Sequence, residues 1–515
     1  MFSKALKVYF LLFLGVPLFA QSFDVLIRNG SVIDGSGSPA QKINIGIRSG
    51  RIVLIENSKA VKAKRIIDAS GLIVTPGFID PHTHTFEDLS NPATSRNDAY
   101  LMQGVTTVVT GNDGSSPLEI GAALHKWDEQ GIGTNAALFI GQGSVRRAVM
   151  GMSDAKPTPE QMSRMEALVD RGMREGAIGL STGLYYAPGS YSSTEEVVEL
   201  AKIASAHGGI YDTHMRDESS YTIGLLGSVR ETIQIGKEAN ISVMISHIKA
   251  LGKDVWGQSS DVIALINAAR AQGQNVTASQ YPYNASGTSV EAALIPRWAE
   301  VGGSSELLHH IDDPASRPRL IADVEKNLDR RGGPESLLLT ASPDKEVIGK
   351  TLQQVAQEHR LSPVDAAFMV IKKGGADVAS FNMKESDIEN FMRQSWVMTC
   401  SDGSPGHPRK YGTFPMKLRK YVFDEHVISL PFAIRSNTSL PAMTLGFKDR
   451  GLLKTGYFAD VVIFDPKTIR PIATYQQPSL LATGVQYLFL NGILAVDGGK
   501  LTTAHAGKAL RHQQD

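Results

Sequence analysis

Two histidines in the stretch PGFIDPHTH, His82 and His84, stand two residues apart at the end of an apolar, β-branched segment. Residues two apart on a strand face the same side, so both imidazoles can turn toward one metal ion. An HxH pair alone is common by chance. Its weight comes from what ends other segments of the same kind: IYDTH closes on His214, VMISH on His247 and WVMTCSD on Asp402. Neutral imidazoles with a carboxylate suit Zn2+ or a similar divalent ion, one or two in number. Such an ion activates water and polarises a carbonyl or phosphoryl oxygen. A carboxylate beside it can take the water's proton and return it to a leaving group.

These side chains must be brought to one level by the elements that carry them. Apolar segments end in turn at His84, Asp113, Gly141, Gly183, His214, His247, Tyr281 and Asp402, the first seven spaced 28 to 42 residues apart. That interval holds a strand, a helix and two loops. Helix starts fill the gaps: Thr158-Pro-Glu-Gln161 and Ser193-Thr-Glu-Glu196 have the form of capping boxes, with helix ends near Gly176 and Gly208. Strands alternating with helices imply parallel βαβ units, and eight of them imply an α/β fold of the (β/α)8 barrel type. Barrel enzymes gather their chemistry at the carboxyl ends of the strands, where His82, His84, His214, His247 and Asp402 would converge. Between Tyr281 and Asp402 the interval jumps to 121 residues, and its pattern is helix-like, which predicts a helical insertion at about 289–395 near the mouth. Short alternating segments with Asn-Gly and Ser-Gly turns mark both ends of the chain. They predict a small β-sandwich built from 21–75 and 441–515 around a barrel of 76–440.

PGFIDPHTH, the strand-end histidines and the SDG at 401–403 resemble the amidohydrolase superfamily. EGAIGLSTGLYYAPGSY, SHIKALGK, QYPYNASGT, HPRKYGTFP and GLLKTGYFADVVIFD resemble more narrowly the N-acyl-D-amino-acid deacylases, or D-aminoacylases, over residues 23 to 510. The resemblance implies that His82, His84, His214 and His247 are metal ligands and that Asp402 shuttles the proton. Lys249, two residues after His247, shares its face and suits an anionic group. Tyr281 and Arg409 look like its partners in holding an amino-acid carboxylate, arginine offering a bidentate fork; Tyr283 competes with Tyr281. Where the family carries a Gly-Asn-Cys-Gly block, this chain has Gly111-Asn112-Asp113-Gly114. Asp113, a harder oxygen donor than a thiolate, is expected to reach the metal instead. The loop from Asp402 to Arg409 is also shorter than the family's. The implied reaction is metal-dependent hydrolysis of linear N-acyl-D-amino acids to a carboxylate and a free amino acid. A dipeptidase or cyclic-amide hydrolase on the same barrel, or an exported binding protein without catalysis, are the rival readings.

Composition sets limits on the rest. The 515 residues are 42% apolar and 20% charged, with 52 basic and 52 acidic side chains, so the basic footprint of a nucleic-acid binder is missing. Residues 1–20 read charged, apolar, small, the order of a secretory signal peptide, which predicts cleavage near Ala20 and a periplasmic or secreted protein with no stable membrane anchor. One cysteine, Cys400, leaves no disulfide framework and is expected to be a buried core residue. P-loop and HExxH signatures are absent.

Overall fold

A computed structural model describes residues 22–55 and 61–512; the predicted signal peptide lies outside them. Eight strands carry the strand-ending segments: β1 (Phe78–Asp80), β2 (Val105–Thr110), β3 (Asn135–Leu138, resumed at Ile140–Gly141), β4 (Gly179–Gly183), β5 (Ile210–His214), β6 (Val243–Ile245), β7 (Val276–Gln280) and β8 (Val397–Thr399). Every one is buried along its whole length. Runs such as VTTVVT, apolar or β-branched at each position, suit strands covered on both faces. β1, β2 and the first part of β3 pair in parallel, as do the second part of β3 and β4 through β8 in order. A parallel bridge between Thr83 and Gly403 joins the segments that follow β1 and β8.

Helices return the chain between strands as the caps predict. Thr158 and Gln161 form a reciprocal capping box on helix Pro159–Arg174. Ser193 caps helix Thr194–Ala206 through the Glu196 N–H, but the Glu196 side chain does not complete the box. It turns inward to a buried ion pair with Arg146 at 2.5 Å, because a buried guanidinium without a carboxylate costs more than an uncapped N–H.

The segment after β7 differs from its helical prediction. Alongside its helices it forms a three-stranded antiparallel sheet, Ala285–Ser289, Asp377–Phe381 and Leu337–Ala341, over an apolar core of its own that includes Leu294, Val324, Leu339 and Phe368. It ends before helix Glu385–Met392, which returns to the parallel strands: Asn390 and Trp396 bond Ser259 and Asn267 of helix Ser259–Ala271.

Both chain ends are strand-rich. A six-stranded sheet combines Ser31–Val32 and Ile73–Pro76 with four strands from 461–501, and a four-stranded sheet uses 23–68 alone. Val25, Ile47 and Ile67 of one and Val74, Val461 and Phe489 of the other share an apolar cluster. Among the described residues no helix is long and apolar enough to cross a membrane.

Candidate metal centre

The strands deliver their polar ends to one place. His214 is the last residue of β5 and His247 lies two residues past β6, while His82 and His84 follow β1 and Asp402 follows β8. Asp113 sits in the turn after β2 with φ of 56°, and His247 and Asp402 also adopt left-handed backbone, at 34° and 47°. Non-glycine residues hold such angles only where the surroundings over-determine them, and they cluster at functional sites. The Asp113 turn passes so close to β4 that a Cβ on Gly114 would lie 2.8 Å from the Gly183 nitrogen, so glycine is required there.

Asp113 stands between two groups of donors. Its Oδ2 is 3.5 Å from Nε2 of both His82 and His84. Its Oδ1 is 3.5 Å from His247 Nε2 and 3.7 Å from His214 Nδ1. Asp402 joins the first group, with Oδ1 2.9 Å from His84 Nε2 and 3.5 Å from His82 Nε2. Donor atoms of His82, His84, Asp113 and Asp402, and separately of Asp113, His214 and His247, lie within 4.8 Å of one another. Each group could hold a cation, and Asp113 belongs to both.

The atoms aimed at these positions fit a metal. His82 Nε2, His214 Nδ1 and Asp113 Oδ1 are buried without a hydrogen-bond partner, which is costly unless something else satisfies them. The tautomer of His82 is fixed from behind. Ser246 Oγ spends its one proton on Asp212 Oδ1 at 2.5 Å, so its 2.9 Å contact with His82 Nδ1 is accepted from the ring N–H. Nε2 therefore carries a lone pair toward Asp113, the arrangement in which outer hydrogen bonds ready a histidine ligand. Asn112 holds the other Asp212 oxygen at 2.9 Å.

Glu218 lies behind the second group. Its Oε2 lies 3.6 Å from His214 Nε2 and its Oε1 3.1 Å from His247 Nδ1. Burial would raise its pKa, but Lys249 and the two imidazoles bring it down to about 2. Burial lowers His214 to about 3, leaving it neutral. Burial opposes ionisation of Asp113 too; positive charge on the flanking His82 and His247 holds it well below the usual carboxylate range, a part that would fall to a bound cation where those rings serve as neutral ligands. Asp402 is likewise ionised against its burial, chiefly by Arg409, whose Nη1 is 2.9 Å from Oδ2.

A cavity of about 650 Å3 opens over the site, lined among others by His84, Asp113, Tyr186, Asp402 and Arg409. It narrows to a recess lined by Tyr185, His214, Lys249, Tyr281 and Arg331. That is the size and placement of a small-molecule site.

Residues 65–273 match the amidohydrolase family. The chain is 34% identical over 520 residues to a D-aminoacylase of Alcaligenes xylosoxydans xylosoxydans, covering 95% of this chain and 98% of that one. It belongs to the amidohydrolase family, among the N-acyl-D-amino-acid deacylases. A solved D-aminoacylase described by its binuclear metal center superposes with a TM-score of 0.82 at 32% identity, over 95% of this chain and all of the other. The N-acyl-D-glutamate deacylase of Bordetella bronchiseptica, solved with zinc and a phosphonate mimic of the tetrahedral intermediate, gives 0.81 at 30%, with the same coverage.

All nine residues singled out in the sequence meet at this site, though not all as expected. Lys249 is not a free cation: its Nζ contacts Glu218 Oε1 at 2.7 Å, His247 Nδ1 at 2.8 Å and the His247 carbonyl at 3.1 Å. Tyr281 lines the recess with its hydroxyl unpartnered and the Arg409 guanidinium 4.6 Å from its ring centre. Tyr283 packs instead against His407. Cys400 is fully buried in the core, and burial pushes its thiol pKa up. Glu218, Ser246 and Asp212 escape the sequence reading. The four-residue interval from His214 to Glu218 is the one available hint, and it falls in a loop. Asp80, also missed, accepts the Ser401 N–H at 3.0 Å and so ties the start of the Asp402 loop to β1.

Proposed function

We propose that this protein hydrolyses the amide bond of N-acyl-D-amino acids, releasing a carboxylate and a free D-amino acid. The observation that carries this reading is Asp113, buried between two sets of imidazole donors, each with a lone pair or carboxylate turned inward. In this reading His82, His84, Asp113, His214 and His247 are the ligands of one or two Zn2+ or similar ions. A bound ion of this kind lowers the pKa of water and polarises the scissile carbonyl. Asp402, held ionised by Arg409, accepts a proton from the attacking water and passes it to the leaving nitrogen. Tyr281 and Arg409 hold the α-carboxylate, with Lys249 adding positive potential from behind Glu218. A requirement for a free carboxylate favours linear substrates over cyclic amides.

The architecture proposed for this chemistry is a (β/α)8 barrel over 76–440, closed between β1 and β8 by the Thr83–Gly403 bridge. The sheets of 21–75 and 441–515 are read as a sandwich on their shared apolar cluster. We further propose that residues 1–20 direct the protein to the periplasm or outside the cell and are removed, leaving no stable membrane anchor. The assay is direct. Metal-loaded protein offered a panel of N-acetyl-D- and L-amino acids should release free D-amino acid, and chelation should stop it. No hydrolysis anywhere in that panel by loaded protein would end the reading.

A further inference from the structure

Of three buried cations around the recess, Lys249, Arg409 and Arg331, two are matched with acids among the described residues. Arg409 faces Asp402 at 2.9 Å and Lys249 faces Glu218 at 2.7 Å. Arg331, at the end of helix Arg317–Arg330, is only 2% exposed and lines the same recess. Its Nε donates to the Tyr221 hydroxyl at 2.7 Å and to the Ala293 carbonyl at 3.2 Å, and its Nη2 to the Tyr185 hydroxyl at 3.2 Å. All three acceptors are neutral. Its Nη1 is buried with no partner among the described residues. An unpaired buried guanidinium is expensive, and a fold that fixes one with two phenols and a carbonyl holds it for a ligand that supplies the missing charge.

The recess also says what that ligand presents. The Tyr281 hydroxyl and Arg331 Nη1 are its unspent donors, whereas the oxygens of Glu218 already face Lys249 and two imidazoles. A group offering acceptors only, above all a carboxylate, fits such a lining, and arginine's fork suits it. Position separates this carboxylate from the one at Arg409. Arg409 lies on the Asp402 side against Tyr281, while Arg331 lies behind Tyr185, whose ring stacks on His214 at 5.5 Å. One substrate reaching both cations carries two carboxylates.

We infer that Arg331 is a specificity residue that pairs with a side-chain carboxylate, making N-acyl derivatives of D-aspartate or D-glutamate the substrate class. This rests on the deacylase reading above. The test compares kcat/KM for N-acetyl-D-glutamate and N-acetyl-D-aspartate with N-acetyl-D-leucine and N-acetyl-D-methionine, in wild type, Arg331→Met and Arg331→Lys. Wild type should favour an acidic substrate by at least 10-fold. Arg331→Met should reduce the acidic-to-neutral ratio by 30-fold or more, and Arg331→Lys should keep part of it. A merely structural arginine would lower both substrate classes together. An unchanged ratio in Arg331→Met, or a wild type that prefers leucine and methionine derivatives, overturns the inference while leaving the deacylase reading standing. Because the wild-type preference alone can overturn it, a poorly folded variant does not shield it. A wild type inactive on all four substrates refutes the deacylase reading and the inference with it.

Discussion

Replacing Ser246 by alanine tests the proposed metal centre through a residue that touches no metal position itself. The serine accepts the His82 Nδ1 proton at 2.9 Å and gives its own to Asp212 at 2.5 Å. Without the hydroxyl, His82 Nδ1–H loses its acceptor inside the protein, and a buried N–H left unmade costs about 1–3 kcal/mol. The imidazole can then relax to the other tautomer or turn, and either takes the Nε2 lone pair away from Asp113. Loss of an outer partner of a histidine ligand weakens metal affinity by about 10–100-fold, or about 1.4–2.7 kcal/mol, in line with the cost of the broken bond. Only the position served by His82 and His84 should feel it, because Ser246 Oγ bonds the His82 ring and Asp212, while His214 and His247 face Glu218 and Lys249. Titration of the apoprotein with Zn2+ against a competing chelator should therefore show one weakened step and one unchanged. Two unchanged steps, or two weakened equally, would refute the tautomer argument. Ser246→Thr, which keeps the hydroxyl, is the control for packing.

Asp402→Asn keeps the side chain's shape but removes the proton acceptor, so kcat should fall by at least about 100-fold. Metal content should be retained, since His82, His84 and Asp113 remain, and elemental analysis beside the hydrolysis assay checks both halves. Lys417 gives a pH prediction away from the site. Fully buried, it donates to the Thr399 and Ser436 hydroxyls at 2.7 and 2.9 Å, and burial lowers it from 10.5 to about 7. Between those values the unfolded chain binds a proton that the folded one does not, so stability rises with pH across the window, by up to about 1.4 kcal/mol per unit, and is lost as pH falls toward 7. Lys417→Met should flatten this slope in urea midpoints measured from pH 7 to 9; parallel slopes for the two proteins would show that Lys417 stays charged.

What the sequence reveals of this site is what strand periodicity can carry. His82, His84, Asp113, His214, His247 and Asp402 are legible because each follows an apolar segment, all but the last at a regular interval, and parallel strands put such positions at one level. Glu218, Ser246, Asp212 and Arg331 act through contacts made across elements, and nothing in their spacing announces those partners. Lys249 shows the limit of facing arguments: it sits where its offset from His247 predicts, but Glu218 arrives from the loop after β5 to occupy it. The strands of the insertion were hidden for another reason. ASGTS at 285–289 is too small and polar to read as a strand, and LLLTA at 337–341 fits a helix as well. Their pairing is settled by the sheet and by the core beneath it, not by local preference.

Charge matching around the site ties its two proposed ligands together. Arg409 is matched by Asp402 and Lys249 by Glu218. Asp212 is pushed up to about 6 by burial and is bonded by Ser246 and Asn112, so it needs little counter-charge. Asp113 is then the site's ionised carboxylate that no lysine or arginine pairs with among the described residues, and it faces neutral-capable imidazoles on both sides. Arg331 is a buried cation of the recess with no acid partner among the described residues. With Asp113 and Arg331 both unmatched among the described residues, on the His214 and Tyr185 sides of that stacked pair, the site gains by meeting them with ligands rather than with each other. The unmatched anion calls for metal ions and the unmatched cation for an anionic substrate. The amide to be cut would lie between them, its carbonyl toward Asp113 and its acidic side chain toward Arg331.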